Sequence, residues 1–262
     1  ARHTVESEVP DAVSAENLSY PPLALMSIAQ FLKDFALTRN DEPGLSVVIP
    51  FPSEKITPED LIQSTIVHFF FTILKGELIV EVHTKSESVI IKDDTIETVA
   101  KRVKWDPDQR KEKKHAPPPF GLARRAIAAQ KGGGKALPVL VASGVKKAPA
   151  WTDGEALFSG KMLSQQRKSL EANGWLGLRV PVQVEMKSST GGKNPLAPAF
   201  FDVFLEVDKE LQKAEDHFIR EGMTIPRVTS MQGQKHVRAL VVVDAGPLSA
   251  LLGDSEGPAH TD

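Results

Sequence analysis

The feature that most constrains the fold is a run of alternating residues in the second half of the chain. Between Leu178 and Met186 every second residue is apolar, and Gln183 and Glu185 lie at intervening positions. Because successive side chains of a strand point to opposite faces, this spacing predicts a half-buried β-strand. Pro181 lies within the run and has no N–H to donate, so we expect it at an edge or a bulge.

Other segments of the second half also have strand character. Phe200–Val207 combines aromatic and β-branched residues, and Phe218–Ile225 has a similar pattern. Val237–Val243 is apolar on both faces, which is typical of a central strand. Leu137–Ala142 is expected to be the strand that enters this unit, and Pro247–Leu252 is expected to start a short helix.

The first half mixes helical and strand patterns. Apolar residues recur at steps of three and four over Leu23–Leu37 and Thr57–Leu74, which predicts two helices. Thr57 is followed by proline and two acids, the usual signals of a helix start. A buried strand is predicted between the helices, over Leu45–Phe51.

A predicted hairpin follows the second helix. Its strands are Glu77–His83 and Val89–Ile91, both rich in β-branched residues. After the hairpin, Asp93 or Asp94 is expected to cap a helix that runs to Val103.

Residues 104–136 differ in composition from both halves. They contain a highly charged run, three consecutive prolines, a brief alanine-rich helical stretch over Arg124–Gln130 and three consecutive glycines. This composition favours a linker or a mobile insert. The sequence therefore predicts an α/β (α+β) fold with an N-terminal helix and strand unit over residues 1–103 and a mostly β unit over residues 137–262.

Composition excludes several classes of chemistry. The chain has 262 residues and no cysteine, which removes disulfide frameworks, thiolate zinc sites and cysteine nucleophiles. Its 32 basic and 34 acidic residues give a net charge of −2, which does not indicate a general attraction to nucleic acid or membranes. No apolar run is long enough to cross a bilayer, and no signal-peptide pattern is visible. We therefore expect a cytoplasmic protein without a membrane partner.

A glycine-rich segment suggests a phosphate-binding loop but lacks its pattern. In Lys131-Gly132-Gly133-Gly134-Lys135, the next residue is Ala136, where a phosphate loop needs the hydroxyl that reaches magnesium. The segment also leads toward a strand and not a helix. A flexible glycine hinge is the favoured interpretation.

A basic cluster around a tryptophan is the alternative functional feature. From Lys101 to Lys114 the chain carries seven basic and three acidic residues. Basic side chains beside an aromatic ring can neutralise phosphates and stack on bases. A solvated linker face is the commoner meaning of such a run. The candidate nucleic-acid-binding residues are Lys101, Arg102, Lys104, Trp105, Arg110 and Lys111.

A site built from scattered residues is a third alternative. Asp202, Glu206, His217 and Arg220 could assemble one, although no pair among them has the spacing of a known catalytic constellation. We assign no catalytic residue and no metal ligand, because the seven histidines show no ligand spacing.

Two stretches resemble a known group of bacterial proteins. They are PGLSVVIPFPSEKITPEDLIQSTIVHFFFTILKGELIVEV over residues 43–82 and FIREGMTIPRVTSMQGQKHVRALVVVDAGPLSALLGDSEGPAHT over residues 218–261. Both are similar to the region after the nucleotide-binding domain in proteins with a GHKL-type ATPase domain. That superfamily includes gyrase, Hsp-type chaperones, histidine kinases and MutL.

The resemblance implies roles for three residues. Gly44-Leu45-Ser46 resembles the Gly-Thr start of a late strand in GHKL domains, which places the Ser46 hydroxyl near the adenine. In this superfamily a lysine of the transducer region reaches the γ-phosphate from a mobile loop. Lys131 or Lys135 would be that lysine.

The resemblance also implies that the chain lacks the catalytic elements of a GHKL ATPase. A GHKL ATPase needs a helix with Glu and Asn and a D-x-G-x-G loop, and this sequence contains no D-x-G-x-G. The chain alone is therefore expected to be a non-catalytic transducer portion, with the active site in a longer parent, upstream of Ala1. ATP and magnesium are expected only in that parent, as ligands. The expected partner is its own ATPase domain or another protein, and a homodimer and nucleic acid stay open as alternatives.

Overall fold

The computed structural model describes part of the chain. By its contacts the chain divides into two units, Ala1–Lys55 and Ile56–Asp262. The described residues are 30, 33–34, 56–84, 87–105, 117–131, 133–134, 137–140, 145–147, 160–186, 194–225 and 235–255. Most of the predicted helix over Leu23–Leu37 and all of the predicted strand over Leu45–Phe51 lie outside them.

Within the described residues the fold is α+β, as predicted, with five helices and two sheets. The elements in chain order are α1 (Pro58–Leu74), β1 (Val80–His83), β2 (Ser88–Ile91), α2 (Ile96–Ala100), α3 (Phe120–Gln130), β3 (Val145–Lys147), α4 (Gly160–Asn173), β4 (Trp175–Glu185), β5 (Leu196–Val207), β6 (Glu215–Arg220), β7 (Met223–Thr224), β8 (Val237–Val243) and α5 (Pro247–Ser255).

The larger sheet has six strands in the order β3-β4-β5-β8-β6-β7. Its centre is antiparallel, with β4 pairing β5 and β5 pairing β8. The β3–β4 and β6–β8 pairs are parallel, so each is closed by a crossover connection. Since β8 lies between β5 and β6, the prediction that Val237–Val243 is a central strand is confirmed.

Pro181 lies within β4, between two neighbouring strands, and not on an edge strand of the sheet. The N–H and C=O of Arg179 point away from β5, toward Pro138 and Leu140. Residues two apart in a strand point the same way, so the missing N–H of Pro181 also faces away from β5. It falls between the isolated bridge at Val139 and the start of β3. The proline therefore costs the β4–β5 ladder no hydrogen bond.

Helix α1 begins where the sequence predicts. The Thr57 hydroxyl accepts from the Asp60 N–H at 3.2 Å, and the Asp60 carboxylate accepts from the Thr57 N–H at 2.8 Å, which completes a capping box. These contacts also hold the pKa of Asp60 below its ordinary value. The helix ends at Leu74, and Gly76 supplies the left-handed φ of +77° that turns the chain.

Replacing Thr57 by alanine is expected to lower the free energy of unfolding by about 1 kcal/mol, because the Asp60 N–H loses its acceptor. Thr57→Ser keeps the hydroxyl and is the matched control. Urea unfolding of the three proteins measures the difference. A Thr57→Ala curve that superimposes on that of the serine variant would show that the cap contributes nothing.

The main core joins the three helices α1, α2 and α3 to one face of the larger sheet. It includes Phe70 of α1 and Leu122 of α3, together with Phe204, Ile219 and Leu240 of the sheet, all of them at most 1% exposed. Residues on both sides of the predicted 104–136 linker therefore pack in one core. Helix α3, which lies inside that range, is part of it.

The opposite face of the sheet carries a second, smaller core. Val180 of β4 and Val243 of β8 pack there with Leu248 and Leu251 of α5. The even-numbered residues of β4 face this side, which agrees with the alternation in the sequence. Helix α5 covers the predicted Pro247–Leu252 helix and extends to Ser255.

The predictions of the helix after the hairpin and of the strand Phe218–Ile225 were wrong. The helix after the hairpin covers only Ile96–Ala100, and neither aspartate caps it: the residue before it is Thr95, whose hydroxyl donates to the Ile90 carbonyl. The predicted strand Phe218–Ile225 is two strands, because Glu221 and Gly222 both have positive φ, as in the tightest hairpin turns.

The hydroxyl groups of two threonines tie α1 to this hairpin. Thr72 donates to the Gly222 carbonyl at 2.6 Å, and Thr224 donates to the Val67 carbonyl at 2.8 Å. A Cβ at residue 222 would collide with the Thr72 hydroxyl, so the close approach requires glycine.

In the described part of the chain, no helix is both long enough and apolar enough to cross a membrane.

Candidate functional site: the charged rows beneath helix α3

Two rows of side chains cross one face of the larger sheet and carry its charged groups. The registers of the β4–β5, β5–β8 and β6–β8 pairs show which residues of neighbouring strands lie side by side. The first row is Arg179, Asp202, Val242 and Ile219, and the second is Trp175, Glu206, Arg238 and Glu215. Both rows lie on the face that α1 and α3 cover.

Asp202 is fully buried and is held by three donors. Nε and Nη2 of Arg179 each donate to one of its oxygens at 2.8 Å, in the bidentate geometry that suits a carboxylate. Nε2 of Gln130, at the end of α3, donates to Oδ2 at 2.8 Å. A buried carboxylate is costly unless it is paired and hydrogen-bonded, and these contacts meet that need.

Arg179 has two further contacts. Its Nη1 donates to the carbonyl of Gly133, and its Cζ lies 4.0 Å from the centroid of the Phe200 ring. The hydrogen bond to Asp202 raises the pKa of Arg179 above its ordinary value, although burial works in the opposite direction. The guanidinium therefore carries a permanent positive charge in a position only 17% exposed.

We name Lys131, Gly133 and Gly134 the glycine turn; Gly132 lies outside the described residues. Among its described residues, the N–H groups of Gly133 and Gly134 donate to the Gln130 carbonyl at 3.1 and 3.0 Å. Both glycines have positive φ, +78° and +68°. Their amides close the end of α3, so they are not aimed outward as a phosphate-binding loop would require.

The second row is organised around Arg238. Its guanidinium contacts Glu215 at 2.7 Å, Glu206 at 2.9 Å and Asp208 at 3.2 Å. Burial alone would lower the pKa of Arg238, but these carboxylates raise it above its ordinary value. Arg125 of α3 also donates to Glu206, at 2.9 Å, and so joins the helix to this row.

His217 lies next to this row. Its Nε2 is buried and, among the described groups, has no hydrogen-bond partner; the nearest oxygen of Glu215 is 3.9 Å away. That distance is too long for a direct hydrogen bond. His217, and after it Arg238, hold the pKa of Glu215 below its ordinary value, while partial burial opposes them.

This lowered pKa predicts a loss of stability in acid. A carboxyl whose pKa is lower in the folded state stabilises the protein above the unfolded value, near 4.5, and that contribution disappears as the pH falls through the folded value. Glu215→Gln should therefore show a smaller drop in Tm between pH 6 and pH 3 than the unchanged protein. Glu210→Gln, at an exposed position before β6, is the control. Parallel Tm curves for all three proteins would contradict the role of Glu215.

Helix α3 links the two rows and a third element. Arg124 donates to Glu97 of α2 at 2.7 Å and to the Asp93 carbonyl at 2.8 Å. Arg125 reaches Glu206 and Gln130 reaches Asp202, both on β5. One short helix therefore connects the glycine turn at its C-terminal end with α2 and with the sheet.

The candidate nucleotide-contacting residues are only partly within the described chain. Lys131 is exposed and follows the last residue of α3. Ser46 and Lys135 lie outside the described residues.

The basic segment is also only partly described. Lys101, Arg102 and Lys104 are exposed, and Arg110 and Lys111 lie outside the described residues. The Trp105 ring packs against the main core, and its N–H donates to the Ala100 carbonyl at 2.7 Å.

The four residues of the scattered-site alternative do not share one face of the sheet. Asp202, Glu206 and His217 lie on the face that α3 covers, by their register. Arg220 directly follows Ile219 in β6, so its side chain points to the opposite face of the sheet, which α5 covers. Over the described residues, no group of His, Asp and Glu is arranged to hold a metal ion.

Sequence reasoning missed Arg179, Gln130 and Arg238 as partners. One signal was available: Asp202 lies between Phe200 and Phe204 on the same face of a strongly apolar strand. An acid in that position requires a buried donor. The odd-numbered positions of β4, already identified by Gln183 as the polar side, contain Arg179.

Comparisons of the chain with protein-family models, with curated proteins and with solved structures found no significant match.

Proposed function

We propose that the chain is the non-catalytic transducer portion of a GHKL-type ATPase-like protein, which couples the nucleotide state of an ATPase domain to the binding of a partner. The observation that supports this most directly is the connection of the glycine turn, through α3, to two separate parts of the fold. A transducer needs such an element, because a displacement at one site must move residues at a second site.

The contacts define the direction in which a displacement would pass. A shift of the turn pulls on Gln130, which is bound to Asp202 in the sheet. The same helix carries Arg124, bound to Glu97 in α2, and Arg125, bound to Glu206 in β5. Because α3 is a rigid element of three turns, movement at its end reaches both.

Lys131 is the residue through which a nucleotide would act. It is exposed, and it directly precedes the glycines that end the helix. An ammonium group at this place can meet the terminal phosphate of ATP held with magnesium by the ATPase domain of the longer parent. The chain itself would bind no cofactor. A cytoplasmic location and a protein partner, including a second copy, belong to the same proposal.

Limited proteolysis of the longer parent tests this proposal. A non-hydrolysable ATP analogue with magnesium should change the rate of chymotrypsin cutting within residues 104–136, at sites that the variants below do not alter. Lys131→Gln should remove that change, and Lys101→Gln, an exposed lysine outside the turn, should leave it intact. Cutting that is the same with and without nucleotide would overturn the proposal.

Nucleic-acid binding is the second candidate, because Lys101, Arg102 and Lys104 are all exposed. With the Trp105 ring packed on the core, the phosphate contacts of the three cations carry this candidate. Three contacts would give a slope of log K against log salt of about −2 to −3. Fluorescence anisotropy with labelled DNA at low salt measures it. Unchanged binding after all three are replaced by glutamine would remove the candidate.

A further inference from the structure

We propose that Arg179 is a positioning residue that fixes the glycine turn to the sheet by bonding the buried Asp202 and the Gly133 carbonyl at the same time. The inference concerns the free chain and does not depend on the proposed function. Its test involves no nucleotide, so the two can fail separately.

The first step is the geometry of one guanidinium. Two of its nitrogens are committed to Asp202 and a third to the Gly133 carbonyl. Its Cζ also lies over the Phe200 ring. A planar group whose nitrogens are bonded along two edges has a fixed orientation, so it can transfer the fixed position of Asp202 to the turn.

The second step is that the helix end converges on the same carboxylate. The amides of Gly133 and Gly134 donate to the Gln130 carbonyl, while the Gln130 side chain donates to Asp202. Asp202 is therefore connected to the turn twice, through Arg179 and through Gln130. Leu137 extends the ordered contacts, since its N–H donates to the Gly134 carbonyl at 3.0 Å.

The third step is the close contact between the turn and the guanidinium. A Cβ at residue 134 would lie 2.6 Å from Cζ and 2.9 Å from Nη1 of Arg179, whereas a Cβ at residue 133 would meet nothing within 4 Å. An alanine at residue 134 would thus have to displace the guanidinium of Arg179, in addition to adopting a positive φ. This difference provides a matched pair of variants.

Amide hydrogen exchange by NMR on the whole chain measures the effect on the turn. The reporters are the amides of Gly133 and Gly134, bonded to the Gln130 carbonyl, and of Leu137, bonded to the Gly134 carbonyl. Arg179→Lys keeps a positive charge for Asp202 but cannot also reach the Gly133 carbonyl. We expect exchange of the three amides to rise by roughly tenfold, with the α1 amides unchanged.

Arg125→Lys is the control for this substitution. The substitution changes the same residue type. Arg125 lies on the helix that leads to the turn, and it contacts Glu206 instead of Asp202. Its turn amides should exchange as in the unchanged protein. Equal exchange in Arg179→Lys and Arg125→Lys would overturn the proposal, and so would a uniform rise that includes α1.

The glycine pair adds an independent readout. Gly133→Ala and Gly134→Ala both place a side chain at positive φ and so share the backbone strain. Only Gly134→Ala displaces the guanidinium, and it should therefore raise turn exchange more than Gly133→Ala. When each glycine substitution is combined with Arg179→Lys, the difference in turn exchange between the two should disappear. A difference that persists unchanged in the lysine background would contradict a role for Arg179.

Discussion

Replacing Arg179 by methionine should lower the free energy of unfolding by about 3–5 kcal/mol, the cost of breaking a buried ion pair by removing one partner. Asp202 is fully buried and would keep only the Gln130 amide as a donor. Domains are stable by only about 5–15 kcal/mol, so the variant would lose a large part of its stability. Urea unfolding followed by circular dichroism measures the loss.

A double variant separates the lost pair from other effects. In Arg179→Met with Asp202→Leu the buried charge is absent, so much of the lost stability should return. The carbonyl of Gly133 would still lack its donor, which limits the recovery. If Arg179→Met alone unfolds at the same urea concentration as the unchanged protein, Asp202 does not need its arginine.

Phe70→Ala should have a comparable effect, with a loss of about 3–5 kcal/mol. The ring is fully buried and meets the rings of Phe71, Phe120 and His217 edge-on, with centroids 6.4 Å apart in each case. It thus joins α1 to α3 and to β6. Truncation leaves a cavity at the centre of the main core, where rigid elements on three sides limit collapse.

Two substitutions provide the comparison for Phe70→Ala. Phe70→Leu leaves a smaller cavity and should cost clearly less. Leu61→Ala lies on the same helix but is 51% exposed, and it should change the free energy of unfolding by no more than about 0.5 kcal/mol. Chemical unfolding of all three gives the order. A loss for Leu61→Ala as large as that for Phe70→Ala would contradict this description of the core.

Much of the fold could be predicted from local patterns. The alternation in β4, the central position of β8 and the Thr57 start of α1 each follow from the sequence of the segment itself, and each was confirmed. The hairpin turn at Glu221 could not be foreseen, because a non-glycine residue with positive φ leaves no periodic signal. The start of α2 was also hidden, since the Thr95 hydroxyl bonds a carbonyl of β2 and does not cap the helix.

The candidate site was less accessible to sequence reasoning because it depends on register. Arg179 and Asp202 are 23 residues apart and meet only because β4 and β5 pair in one alignment. Gln130 is 72 residues from Asp202 and reaches it only after α3 packs on the sheet. Composition drew attention to the glycines of residues 132–134. No pattern in the neighbouring sequence indicated that an arginine of a later strand donates to the Gly133 carbonyl.

The bonds between α1 and the β6–β7 hairpin also bear on how the chain is made. Thr72 and its acceptor Gly222 are 150 residues apart. At the usual rates of protein synthesis that separation corresponds to roughly 8–30 s. During this interval the apolar face of α1, including Phe70, has emerged without the strands that bury it. A chain interrupted before residue 215 therefore lacks β6 and β8, and part of the apolar face of α1 stays without the strands that pack on it.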